Sequence, residues 1–199
     1  MKKQLLSVCI VIGTMAFAQS TGGPKFGVKA GGNLSSISGS DTKSKLGFYA
    51  GAFVNIPISE VFSIQPEVVY SQQGTKAKDK YLLGAIPVKD IKQILNYINV
   101  PVMIQYNATP KFYLEAGPEF GFLINAKAKE YFLGESLSWD NKSLLSTFNF
   151  GLGIGLGYKF IPSLGVNVRY IAGLTKIVKD DAEEPSKNTN LQLGVNYYF

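Results

Sequence analysis

Residues 148–160 read FNFGLGIGLGYKF, and this stretch decides the fold class. Large apolar or aromatic residues occupy the even positions, whereas asparagine, glycine or lysine occupies the odd ones. Successive side chains of a β-strand point to opposite faces, so the alternation predicts a strand with one apolar and one polar face. Four glycines share the polar face, which predicts a narrow space there, as in the interior of a small closed barrel.

The same period-two pattern recurs in seven further segments of the chain. The eight predicted strands cover approximately residues 26–34, 48–58, 62–70, 98–106, 112–122, 148–160, 164–174 and 191–199. No Asp, Glu, Lys or Arg falls on any of the eight apolar faces. A few apolar residues do fall on the polar faces, namely Phe53, Val69, Met103, Leu123 and Ile171.

The predicted connections alternate between long and short. The long ones cover about 35–47, 74–96, 125–147 and 175–188, and the tight ones 59–61, 107–111 and 161–163. An even number of strands with short periplasmic turns and longer extracellular loops is typical of bacterial outer-membrane barrels. The sequence therefore predicts an all-β, eight-stranded, antiparallel up-and-down transmembrane barrel in the outer membrane of a Gram-negative bacterium, with both termini in the periplasm.

Alternation alone leaves two orientations of such a barrel open. A soluble lipocalin-like carrier would place the apolar face inside and hold a small ligand there. Aromatic residues collect at the tight-turn ends of the strands, as an interfacial girdle would: Phe26, Phe62, Tyr106, Phe112, Phe160 and Phe199. These aromatics, the glycine-rich polar face and the aromatic last residue favour the membrane orientation.

The N-terminus is predicted to be a cleavable signal peptide over residues 1–18. Lys2 and Lys3 form a basic start, an apolar run follows, and Ala16 and Ala18 form an A-x-A cleavage site. The mature protein, predicted to be one barrel domain over residues 19–199, would begin at Gln19. The apolar run is shorter than the ~20 residues that a spanning helix needs.

Composition excludes several kinds of function. The only cysteine, Cys9, lies in the predicted signal peptide, and the chain has no histidine. Histidine is the commonest general base and metal ligand, so we expect no enzyme, no metal site and no cofactor. The formal charge of +6 is modest, and aromatic residues do not alternate with basic ones, so nucleic acid is not expected as a partner.

The polar faces carry a balanced set of charges. Three cations and three anions are predicted to face the lumen, namely Lys29, Lys159, Arg169, Glu67, Glu115 and Glu119. The third and seventh strands lie opposite each other in an eight-stranded closure, and Glu67 and Arg169 each lie five residues beyond a strand's first apolar residue. Because isolated buried charges are costly, we expect an ion-pair network around Arg169 that fills the lumen.

Two further expectations concern particular positions. Pro66, Pro101 and Pro118 fall inside predicted strands, where each removes a backbone donor, so bulges or local twists are expected there. The second long loop is rich in lysine, which indicates either a solvated loop or contact with anionic sugars and phosphates of the outer leaflet.

The C-terminal run LQLGVNYYF, residues 191–199, resembles the terminal strand that the outer-membrane assembly machinery recognises. Its alternating apolar positions are Leu191, Leu193, Val195, Tyr197 and Phe199. Three internal segments resemble characteristic stretches of the porin-like outer-membrane β-barrel domain family: QPEVVY at 65–70, NVPV at 99–102 and EAGPEFG at 115–121. The resemblance extends from about Lys25 to Phe199. It implies an eight-stranded barrel without catalytic residues.

These observations predict a mainly structural or surface-interaction role, with loops outward and a filled lumen. The expected partners are outer-membrane lipid, lipopolysaccharide and the assembly machinery, and the barrel is expected to be a monomer. A narrow porin-like conduit for small solutes is the first alternative, although eight strands leave an interior only wide enough for side chains. The soluble lipocalin-like carrier is the second.

Overall fold

The computed structural model describes residues 23–37, 42–77, 80–82, 86–88, 90–132, 135–177 and 186–199. The predicted signal peptide and its cleavage site at Ala16, Ala18 and Gln19 lie outside these residues, and both remain predictions. Within the described part of the chain, no helix is long and apolar enough to cross a membrane.

The described residues form eleven strands and one short 3-10 turn, Lys142–Leu144. The strands are β1 (Lys25–Ile37), β2 (Thr42–Pro57), β3 (Phe62–Ala77), β4 (Lys80–Leu82), β5 (Ile86–Val88), β6 (Asp90–Asn107), β7 (Phe112–Phe132), β8 (Glu135–Asp140), β9 (Phe148–Ile161), β10 (Leu164–Lys176) and β11 (Lys187–Tyr198). Eight of them are long and form the barrel, whereas β4, β5 and β8 are short additions near the long connections.

Sequential antiparallel pairing closes the barrel. Each long strand pairs with the next one along the chain, and β1 pairs with β11 to complete the circle. The short strand β8 pairs with the C-terminal part of β7, and β4 and β5 pair with each other in a separate two-stranded sheet. The predicted fold class, a closed eight-stranded antiparallel barrel, is confirmed.

The two faces of the wall are those that the alternation predicts. Large apolar side chains such as Val68, Ile154 and Leu193 are 57–63% exposed on the outside, whereas Gln65 and Arg169 are at most 1% exposed inside. An apolar exterior and a polar interior are the reverse of a soluble carrier. The predicted membrane orientation is therefore confirmed, and the alternative of a soluble lipocalin-like carrier is excluded.

The strands are longer than the sequence pattern predicts. β2 begins at Thr42 rather than near residue 48, and β7 continues to Phe132 rather than ending near residue 122. In these extensions the backbone ladder continues although the side chains no longer alternate cleanly. Backbone hydrogen bonds do not require an apolar face, so the sheet extends beyond its apolar belt at the end that carries the long connections. We call this the long-loop end, and the opposite one the tight-turn end.

Proline does not shift the strand register where bulges are expected. The β3–β6 pairing passes from Pro66–Val102 to Val69–Asn99 without a change of register, and Pro118 lies within a continuous β7–β9 pairing. A missing donor removes one hydrogen bond, while the flanking bonds hold the register. The register shifts lie elsewhere, at Ser44/Tyr49, Asn96/Tyr97, Leu164/Gly165 and Ala172/Lys176.

Candidate functional site

Arg169 lies at the centre of the lumen, between carboxylates from two other strands. Its Nη1 and Nη2 donate to Glu67 at 3.0 and 2.7 Å, and its Nε donates to Glu115 at 2.7 Å. Lys29 donates to both oxygens of Glu67, at 3.0 and 3.2 Å. These four side chains, two cations and two anions, are almost fully buried. We call them the central charge cluster.

Glycine makes room for this cluster on the neighbouring strand. Gly155 of β9 lies directly opposite both Arg169 and Glu115 in the strand pairing. A Cβ at Gly155 would approach Glu115 Oε1 to 2.9 Å and the backbone O of Val168 to 2.6 Å. The glycine-rich face of residues 148–160 therefore provides the volume that the long charged side chains fill.

A layer of amides supports the cluster from the tight-turn side. Gln65 donates to Glu67 at 2.9 Å, and Gln105 donates to Glu115 at 3.1 Å. Asn55 donates to both glutamine side chains and to Ser63, at 2.8–3.2 Å. Each carboxylate thus has a neutral donor as well as a cation, the condition under which buried charges are tolerated.

Two of the six predicted lumen charges lie apart from the cluster. Glu119 is buried and accepts a hydrogen bond from Asn99 at 2.9 Å. Lys159 is half-buried near the tight-turn end, where its ammonium lies 5.6 and 5.0 Å from the ring centroids of Tyr113 and Tyr198. The structure therefore brings together four of the six predicted residues.

An apolar layer closes the lumen on the long-loop side of the cluster. Its members come from strands and from the segments after β8 and β10: Leu95, Tyr97, Leu123, Ala126, Leu145 and Ile177. Only Leu123 is predicted from the sequence to face the lumen. Leu95 and Tyr97 occupy the same alternating face as Asn99 and could have been found by extending β6, whereas Leu145 and Ile177 lie outside strand periodicity.

Aromatic side chains occupy the tight-turn side of the lumen. Phe53 and Tyr198 meet edge to face at 4.9 Å, and Tyr113 accepts a hydrogen bond from Asn196 at 3.1 Å. Neither Tyr113 nor Tyr198 is among the residues predicted to face the lumen, although both lie on the polar alternation of their strands. Stacked layers of apolar, charged, amide and aromatic side chains leave the lumen packed rather than open.

A second candidate site lies on the outer wall at the long-loop end. Lys43, Lys76, Lys92 and Lys129 lie directly opposite one another in successive pairings of β2, β3, β6 and β7. Opposed residues share a face, and the adjacent Thr75 is buried inside, so the row faces outward. Neighbouring strands are ~4.8 Å apart, so this lysine row spans ~14 Å.

A third feature is a cavity of about 200 Å³ at the tight-turn end. Lys25, Lys159, Asn55, Ser63 and Asn107 are among its lining residues, together with residues of the β2–β3 and β6–β7 turns. We call this cavity the vestibule. In the described ranges, histidine, cysteine and acidic residues form no group of three that could hold a metal ion.

Comparison with known proteins identifies one family. The family model described as outer membrane protein beta-barrel domain matches residues 17–179. Among curated proteins, none matches the sequence significantly.

Solved structures with similar folds include several outer-membrane barrels. The attachment invasion locus protein Ail of Yersinia pestis, in complex with the heparin analogue sucrose octasulfate, is 16% identical, with a TM-score of 0.53 over 89% of this chain and 99% of that one. Neisserial surface protein A is 15% identical, with a TM-score of 0.53 over 91% and 100% of the two chains. A major outer membrane protein of Thermus thermophilus is 14% identical, with a TM-score of 0.51 over 88% and 99%. At these identities the likeness shows a shared fold.

Proposed function

This chain belongs to the outer membrane protein β-barrel domain family. From that premise we propose that it is a sealed barrel, with a lumen closed to solutes, that functions by binding partners at its outer surface. The observation that carries this proposal is the packed lumen. The central charge cluster has no net charge, and its carboxylates have both cationic and amide partners. Opening a path would require breaking buried charge-assisted hydrogen bonds, which are among the strongest in a protein.

The orientation follows from the connections. The tight turns face the periplasm together with both termini, and the long-loop end projects from the cell. The predicted signal peptide directs export, and the terminal strand with Phe199 directs assembly by the outer-membrane machinery. The barrel acts as a monomer embedded in lipid and has no catalytic activity.

The lysine row is the surface that we assign to interaction. Like charges directly opposite each other on a sheet repel. Lys43 and Lys92 have other interactions within the protein, so an external anion would stabilise Lys76 and Lys129 in particular. In the proposed orientation the nearest anions are the phosphates and acidic sugars of lipopolysaccharide in the outer leaflet. Ail is solved with sucrose octasulfate, but that protein shares only the fold with this chain, and the lysine row is the feature that supports anion binding here.

Conductance in planar lipid bilayers tests the sealed barrel. Purified wild-type protein should insert without a steady current, and detergent alone serves as the blank. Insertion must be verified separately, by protease protection of the reconstituted protein or by its heat-modifiable gel migration. A stable, stepwise, ohmic current from inserted wild-type protein would contradict the sealed lumen and favour the narrow conduit for small solutes.

A further inference from the structure

We propose that the vestibule is a binding site for a small anion with phosphate or carboxylate oxygens. The proposal goes beyond the sealed-barrel function, because it concerns a cavity that does not connect through the lumen. The vestibule opens at the tight-turn end, between the turns that follow β2 and β6. Its volume of about 200 Å³ is several times the ~30 Å³ that one water molecule occupies in the liquid.

The inner wall of the vestibule makes it a blind pocket. Asn55 and Ser63 line it and are 5% and 2% exposed. Their side chains are hydrogen-bonded to each other at 3.1 Å and to Gln105 at 2.8 and 3.4 Å. A molecule that enters from the tight-turn end therefore stops at this amide layer, below the central charge cluster.

Two lysines make the vestibule positively charged. Lys25 and Lys159 both line it, and they lie close enough to each other to interact electrostatically. Among the described residues, neither has a carboxylate at ion-pair distance, whereas Lys29 and Arg169 deeper in the lumen do. Glu60 in the β2–β3 turn is the one acid that lines the cavity, so two positive charges oppose a single negative one.

Two aromatic rings hold Lys159 in place. Its ammonium lies over the rings of Tyr113 and Tyr198, at 5.6 and 5.0 Å from their centroids. A cation–π contact orients an ammonium through the ring quadrupole but brings no anion to it. A bound oxyanion would supply the missing counter-charge, with the hydroxyls of Ser59 and Thr109 at the mouth as further donors.

Titration of the purified barrel in lipid nanodiscs tests the site. Isotope-labelled protein is followed by NMR while inorganic phosphate, and separately succinate, replaces chloride at constant ionic strength. Saturable shifts are expected at the amides of Asn55, Ser59, Ser63 and Thr109. Saturation with phosphate alone would identify a phosphate ligand, and saturation with succinate alone a carboxylate. The absence of a saturable shift with both phosphate and succinate would overturn the proposal.

Variants distinguish anion binding in the vestibule from attraction by the overall positive charge of this end of the barrel. Lys25→Gln and Lys159→Gln should each weaken binding by about tenfold, as expected for loss of one charge-assisted contact. Glu60→Gln should strengthen binding, because it removes the opposing charge. Lys111→Gln makes the same charge change at an exposed position of the same end that does not line the vestibule, and should leave the affinity unchanged.

The result of this binding test does not depend on whether the barrel conducts ions. Each variant is first verified as folded by its heat-modifiable migration, and Lys25 is exposed, so its variant is the safer of the two. Unchanged affinity in both lysine variants would overturn the assignment. An equal loss in Lys111→Gln would do so as well, since it would indicate a diffuse charge effect.

Discussion

Arg169 and Glu67 are 102 residues apart in the sequence and lie on opposite sides of the barrel, yet their side chains meet in a two-point contact at 2.7 and 3.0 Å. The contact crosses the lumen from β10 to β3 and ties together two strands that share no backbone pairing. A guanidinium matches a carboxylate in this fork-like geometry, which makes the contact both strong and directional. The same guanidinium also holds Glu115, so one side chain links three strands.

Replacing Arg169 by leucine should destabilise the barrel by about 3–5 kcal/mol, because two buried carboxylates would then share the single cation Lys29. Unfolding in urea from lipid vesicles, followed by loss of heat-modifiable migration, measures the change. Lys111→Leu removes a cation from an exposed turn and should stay within about 0.5 kcal/mol of wild type.

A double variant separates lost charge pairing from lost packing. Glu115→Gln added to Arg169→Leu leaves Lys29 paired with Glu67 and removes the stranded charge. The double variant should therefore be more stable than the sum of the two single effects predicts. Strict additivity, or a wild-type stability for Arg169→Leu, would contradict a central role for the cluster.

The sequence carries enough information to predict the closed barrel and its two faces. Period-two alternation over eight segments determines which side of each strand faces lipid, and the glycines of residues 148–160 indicate a filled interior. Counting residues from the strand starts is also sufficient to place Glu67 and Arg169 at similar depth on opposite strands. These inferences need only the alternation and the order of the strands.

Other features depend on distances that alternation does not contain. Whether Glu119 or Lys159 reaches the central charge cluster is decided by side-chain length and by the stagger between strands. The lysine row depends on the same stagger, because its four members come from four strands. The extension of β2 and β7 beyond the apolar belt has no apolar signature, so a pattern search ends these strands too early.

Gly157→Ala should destabilise the barrel by about 1–3 kcal/mol through overpacking. A Cβ at this position would lie 2.2 Å from Cζ of the buried Tyr113 ring. Gly32→Ala is the matched control, because the nearest atom to its Cβ would be a carbonyl oxygen at 3.8 Å. Equal midpoints for the two variants in the same urea series would show that the ring can move aside freely, contrary to this reasoning.

Deleting Phe199 should slow assembly in cells while leaving folding in detergent largely intact. The side chain is 59% exposed on the outer wall, where its ring centroid lies 5.5 Å from that of Tyr197, so the packing of the lumen does not depend on it. Pulse-chase fractionation should show the deleted chain accumulating in the periplasm or being degraded. Phe160→Ala removes a similarly exposed aromatic at the same end and should assemble at the wild-type rate. Normal surface levels after the deletion would argue against the recognition role.

Ala18→Phe should block signal cleavage, because the processing enzyme accepts only small residues at this position. N-terminal sequencing of wild-type protein extracted from membranes should give Gln19 as its first residue. The variant should migrate as a larger precursor. Wild-type protein that still begins at Met1 would exclude the predicted signal peptide.

The lysine row predicts binding to lipopolysaccharide that depends on particular lysines rather than on total charge. Lys43 and Lys92 have other interactions within the protein, so the cleaner change is Lys76→Gln with Lys129→Gln. This double variant should weaken binding of purified lipopolysaccharide to the barrel in detergent by about tenfold, and the wild-type affinity should fall with added salt. Lys25→Gln with Lys111→Gln removes the same charge at the opposite end and should have little effect. An equal loss of lipopolysaccharide affinity in the two double variants would indicate attraction by the net charge of the protein alone. A binding site at the lysine row requires that the position of the lysines, and not only their number, determines the affinity.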